Sequence, residues 1–222
     1  MTKFAPIEAK AAKRKGGAKA LEKLLSKPQS RAALAKTPDG FFLERLAKQI
    51  FCSGFVWKIV EYKWPGTEEA FGGFEPEIVA GFGDQEIEEL VNDPRVVRHR
   101  AKIESICANA RWMVRIAAEH GSFAKYLADW PEDDMVGLWE ELKKSGSRLG
   151  GMTGPFFLRQ IGKDTFLLSP DVVKALRRAK VLKGAGTSKR DLRAVQEAFN
   201  VWRRETKRPL CQLSRILSYS VG

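Results

Sequence analysis

The spacing of apolar residues leaves this chain little choice of secondary structure. Side chains recur at three- and four-residue intervals in Phe42, Leu46 and Ile50, in Val56, Ile59 and Val60, and in Ile103, Ile106, Ala110, Met113, Val114 and Ala117. Such spacing gathers side chains on one face of a helix, whereas a half-buried strand would alternate. Strand patterning is nearly absent, so an all-α fold is expected. Punctuation agrees: Asp84 is a candidate N-cap ahead of Ile87, Leu90 and Val91, Gly121 stops the longest stripe, and Pro131 and Gly146 bracket a helix carrying Trp139 and Leu142. Ser188 is a candidate cap for a helix from about Lys189 to Thr206, and Leu210 to Leu217 makes a last turn or two. No internal repeat is found.

Charge narrows the partners. The 222 residues, 44% hydrophobic, suffice for one core or two lobes, and a formal charge of +12 points to a polyanion. Residues 1–36 carry ten Lys or Arg against Glu8 and Glu22, which is +8 of that total; the other 186 residues hold +4. With few apolar residues and with Gly16, Gly17 and Pro28 interrupting it, this segment reads as a basic flexible arm, leaving 37–222 as the helical domain. The arm is either a nonspecific nucleic-acid attractor or a solvated tail. Neither a signal-peptide core nor an apolar run of ~18 residues occurs, so a cytoplasmic protein with no membrane contact is expected. Cys52, Cys107 and Cys211 are an odd, scattered set that reads as small buried hydrophobes, and His99 and His120 have no cysteine at ligand spacing. No metal and no cofactor are expected.

The stretch Leu149-Gly150-Gly151-Met152-Thr153-Gly154-Pro155 separates two helical patterns, in a hairpin of about 146–162. Glycines allow close backbone approach, and the helix start that follows offers unpaired N–H groups to an anion. On this segment alone, a phosphate-gripping hairpin and a plain helix–helix joint both stand.

The arrangement resembles the helix-hairpin-helix DNA glycosylase superfamily, whose hairpin reads Leu-x-Gly-hydrophobic-Gly; Leu149, Gly151 and Met152 fit, while Thr153 replaces the second glycine and Gly154 follows it. Val96 to Glu104 (VVRHRAKIE), Ala108-Asn109-Ala110-Arg111 and Gly54-Phe55-Val56-Trp57 are similar to the DNA-3-methyladenine glycosylase I family, over about Phe41 to Leu176. The resemblance implies two helical lobes with an active-site cleft between them. It implies double-stranded DNA containing alkylated bases as partner, a monomeric enzyme, extrusion of the damaged base, and hydrolysis of its N-glycosidic bond in base excision repair.

Roles follow by position. Gln49 and Trp57 correspond to the base pocket, Gly54 and Phe55 to the wedge that enters the vacated stack, and Gly151, Met152, Thr153 and Gly154 to the phosphate-binding hairpin. Phe55 and Trp57 have core packing as their structural alternative. Arg98, Arg100 and Lys102 are candidate DNA contacts that also suit a solvated helix end, and His99 reads as structural.

Two departures matter. The family's pocket glutamate is Gln49 here, and the zinc-binding Cys and His near both termini are missing. The wider superfamily's catalytic aspartate falls at Ser169, with Pro170 and Asp171 after it; Ser-Pro makes an N-cap and first helical position, and Asp171 suits the first turn either way. An alkylated purine leaves as a cation and needs less assistance, which fits monofunctional hydrolysis of 3-methyladenine foremost. The alternative is a noncatalytic DNA-binding protein retaining the glycosylase fold.

Overall fold

Residues 2–221, the part described by the computed structural model, are helical where the apolar spacing is helical, and no strand occurs among the described residues. The helices run α1 Ala5–Arg14, α2 Ala18–Glu22, α3 Arg31–Leu34, α4 Asp39–Cys52, α5 Trp57–Ala70, α6 Pro76–Ala80 and α7 Asp84–Asn92. Then come α8 Arg100–His120, α9 Phe123–Asp129, α10 Met135–Ser145, α11 Thr153–Gln160, α12 Pro170–Arg178, α13 Lys189–Thr206 and α14 Leu210–Tyr219. One 3₁₀ turn, Gly72–Phe74, joins α5 to α6. None of these helices is long and apolar enough to cross a membrane.

Most expected punctuation is present. Ser188 caps α13 by accepting from the Asp191 N–H at 3.1 Å, and Gly121 ends α8 in the left-handed region. Asp84 is the first residue of α7 rather than its cap. Gly83 holds the cap position, its N–H satisfied by the Glu86 carboxylate at 2.8 Å, while Asp84 supplies first-turn charge. The last helix is longer than the turn or two expected, because Leu210, Leu213, Ile216 and Leu217 are all fully buried.

The protein divides into two compact units. One holds residues 30–130 and 139–161. Its core includes Phe42, Phe123 and Trp112, with ring centroids 6.1 and 5.1 Å apart, and a second aromatic series of Phe51, Trp64, Phe74 and Phe71. Asp39 at the start of α4 accepts from the Phe123 and Ala124 N–H groups at 2.8 and 2.9 Å, so one carboxylate starts α9.

The other unit holds residues 1–29, 131–138 and 162–222. Phe166 stacks on Phe199 at 4.2 Å, Phe199 meets Trp202 edge-on, and Phe4 closes over Trp202 at 5.4 Å. Asp164 repeats the device of Asp39, accepting from Leu210 and Cys211 N–H groups at 2.9 Å each to start α14.

The expected flexible arm of residues 1–36 is therefore corrected. Residues 2–29 fold into the unit just described, with Phe4, Ala11 and Leu21 buried in its core, and α3 belongs to the other unit. The two acids among the segment's many cations do the docking: Arg208 pairs with both Glu8 and Glu22, holding α1 and α2 by one guanidinium. The single helical domain of 37–222 is likewise replaced by a division that falls within α10. Cys107 and Cys211 are buried as expected, whereas Cys52 is half-buried.

Candidate nucleic-acid interface and base pocket

The expected wedge lies on the loop between α4 and α5, residues 53–56, where Gly54 takes a φ of 86° in the open. What holds this loop is Lys102. This residue is only 5% exposed, and its ammonium donates to the carbonyls of Ile50 at 2.8 Å, Phe51 at 3.1 Å and Ser53. Those carbonyls close α4, so the Lys102 ammonium caps the carboxyl end of that helix and uses all three of its protons to do so. Burial, then the neighbouring charge of Arg148, holds the ammonium below the ordinary lysine range. The expectation of a DNA contact at Lys102 is corrected: its donors face protein, because three orphan carbonyls at a buried helix end need them.

His99 is structural too. Its Nδ1 accepts from the Lys102 N–H at 3.3 Å, starting α8, and its ring receives Phe55 edge-on at 5.7 Å. The Lys102 ammonium lies 4.3 Å from the Phe55 ring centroid, so Phe55 is a half-buried ring on a cationic seat. Trp57 is different. At 61% exposed, beside Val56 at 62% and Tyr62 at 87%, it is not core.

The hairpin comprises the end of α10, residues 146–152 and α11. Asn109 on α8 holds it by two hydrogen bonds, donating to the Ser147 carbonyl at 2.9 Å and accepting from the Ser147 N–H at 2.8 Å. Arg148, at φ 60°, donates from Nε to the Ala101 carbonyl at 3.2 Å. Both loops thus hang on α8, and a recess of about 260 Å³ lies where they meet, lined by Ile50, Ser53, Lys102, Arg148 and Gly150.

Within the hairpin the four expected residues separate. Gly151 is exposed at φ 61°, with open space where a Cβ would stand, while Met152 and Thr153 are half-buried at the start of α11. Gly154 is buried, and a Cβ there would come within 2.8 Å of the Leu149 carbonyl oxygen. Its smallness serves packing, and it is removed from the set that presents backbone to an anion.

Gln49, in the last turn of α4, accepts from Gln160 Nε2 at 2.9 Å. Arg100 is engaged by Glu88 and Glu104 on the surface, which leaves Arg98 the more available of the two exposed arginines. Ser169 and Asp171 lie in the unit that does not contain Gln49 or Trp57. There Ser169 accepts from the Val172 N–H at 3.4 Å as the cap of α12, and Asp171 is exposed in its first turn. Among the described residues no three His, Cys, Asp or Glu side chains gather.

Four residues of this region were not singled out as functional from sequence: Asn109, Arg111, Arg148 and Gln160. Arg111 donates to the Ala80 carbonyl at 3.0 Å and the Phe82 carbonyl at 2.5 Å, closing α6. Asn109 and Arg111 stand in the stretch that resembles the family, yet nothing in spacing tells a clamp on backbone from a contact with DNA.

The methyladenine glycosylase family pattern matches residues 35–148, from just after α3 into the hairpin. DNA-3-methyladenine glycosylase 1 of Escherichia coli (strain K12) is 31% identical over 75 residues, which is 34% of this protein and 40% of that one's length. Two solved structures from Staphylococcus aureus are similar. A glutamate-to-glutamine mutant of 3-methyladenine DNA glycosylase I has 29% identity and a TM-score of 0.51 over 57% of this protein and 78% of that one. A structure of the same enzyme concerned with 3-methyladenine recognition has 27% identity and a TM-score of 0.52 over 63% and 80%. The chain belongs to the methyladenine glycosylase family.

Proposed function

We propose that this protein is a monofunctional DNA glycosylase that extrudes an alkylated purine from duplex DNA, 3-methyladenine foremost, and hydrolyses its N-glycosidic bond in base excision repair. The observation that carries the reading is Trp57: a large aromatic, 61% exposed, in the first turn of a helix, beside the loop that we read as the wedge. A ring left in water at that place is suited to stacking on an extruded base.

Phe55 is the wedge. Its seat on His99 and Lys102 keeps the loop rigid, so the ring enters the stack without the loop itself reordering. Gly151 and the N–H groups at the start of α11 take one phosphate, with the Arg148 guanidinium beside the recess and Arg98 as a further exposed cation. Gln49, its oxygen occupied by Gln160, offers its amide N–H to a ring nitrogen of the purine.

An alkylated purine carries positive charge, so the bond between C1′ and the base nitrogen breaks with its electron pair neutralising the leaving base. Water then adds to C1′ and yields its proton to solvent, leaving an abasic site with no strand cleavage. A neutral lesion would demand a better-placed acid or base, at ~1.4 kcal/mol of barrier for each tenfold in rate.

Incubation of the protein with methylated duplex DNA, with chromatography of released bases and a count of abasic sites, tests this reading. Release of 3-methyladenine that Trp57→Ala abolishes, with duplex binding retained, is the expected result. Tight binding by a folded protein with no base released would leave a noncatalytic DNA-binding protein of the same fold.

A further inference from the structure

The +12 charge is not shared between the two units. The unit with the hairpin and Trp57 carries 17 Lys and Arg against 17 Asp and Glu, whereas the other carries 22 against 10. The part matched by the family pattern, residues 35–148, carries 15 Lys and Arg against 20 Asp and Glu, so the excess positive charge lies outside it. One segment stands out there. Residues 174–193 hold eight Lys or Arg against Asp191 alone, all eight are exposed, and none is in an ion pair among the described residues.

Two of these cations sit where helix electrostatics oppose them. Lys189 and Arg190 open α13, at the positive end of its dipole, where a carboxylate would be favoured. Asp191 does not neutralise the face, since its carboxylate turns back to accept from the Gly186 N–H at 3.2 Å. Nor is any large apolar side chain exposed between residues 174 and 193, as a lipid-surface segment would require. We propose that the end of α12, the loop 179–188 and the start of α13 form a grip on the phosphate backbone of duplex DNA, through Arg177, Arg178, Lys180, Lys183, Lys189 and Arg190. It holds undamaged DNA without reading sequence while the base-specific chemistry is done by the neutral unit. The grip rests on DNA as the substrate proposed above.

The test uses the full-length protein with Arg178→Gln, Lys183→Gln, Lys189→Gln and Arg190→Gln combined. Binding to a short undamaged duplex is followed by fluorescence anisotropy from about 50 to about 200 mM salt. The expected result is a plot of log K against log salt flatter by about 3.6, at ~0.9 for each of the four phosphates no longer neutralised. The melting temperature should not fall, because two of the replacements remove unfavourable first-turn charges. An unchanged slope in the folded variant overturns the grip. So does an equal flattening by Lys36→Gln, Arg115→Gln and Lys125→Gln in the neutral unit. Loss of binding to phosphatidylserine vesicles with DNA binding intact overturns it in favour of a lipid surface. Base release is a separate reading: if wild type releases no base, the glycosylase fails and the salt slope still judges the grip.

Discussion

In Lys102 the ammonium that resembles a nucleic-acid contact in sequence spends its protons on the end of α4. Lys102→Met keeps the stem and removes the donors, orphaning carbonyls at a buried helix end, so the protein should lose about 3 kcal/mol in urea unfolding. Lost DNA affinity with stability intact would return Lys102 to the interface. Asn109→Asp keeps the acceptor for the Ser147 N–H but points a carboxylate at the Ser147 carbonyl, which lacks a proton to share. A loss of about 2 kcal/mol and faster hydrogen exchange in residues 146–152 are expected. Cys52 supplies a pH test. Burial, with Glu61 second, pushes its thiol up, so the native state holds a proton that the unfolded protein gives up first. That contribution is complete below about pH 8.5 and is lost as pH rises through the raised native value; Cys52→Ser should flatten the decline in stability on the alkaline side.

At the scale of elements, α8 is a post from which other segments hang. His99 and Lys102 hold the loop between α4 and α5, Asn109 holds the hairpin, and Arg111 closes α6. Residues 96–111 are thus largely a set of clamps on backbone, and the surfaces they position are aromatic and glycine-rich. The hairpin glycines separate experimentally. Gly154→Ala meets the Leu149 carbonyl at 2.8 Å and should cost about 2 kcal/mol while shifting α11. Gly151→Ala has open space and meets only the left-handed penalty of about 1–2 kcal/mol. If stability losses are reversed between the two variants, the packing role given to Gly154 is wrong. Helix identity and most caps were readable because a three-to-four spacing and a Ser or Gly at its end are local facts. The partners of Lys102 and Asn109 lie about 40 to 50 residues away, and no local pattern records them.

For the whole molecule, residues 1–29 are the test case. A basic segment with few apolar residues was expected to be mobile, and it instead supplies Phe4 to the ring of Trp202 and two carboxylates to Arg208. Deleting residues 1–29 should expose that aromatic surface and strip Arg208 of both acidic partners. Aggregation or a melting temperature lower by at least about 10 °C is expected, where a mobile arm would change neither. The sequence by itself determined the all-α class, most of the helix caps, the family and the total charge, since each is a property of neighbouring residues or of composition. Only the tertiary structure decided that Lys102 faces carbonyls, that Trp57 is in water and Gly154 is not, and that all the excess charge belongs to one unit. Those outcomes depend on residues far apart in sequence becoming neighbours, which local spacing does not encode.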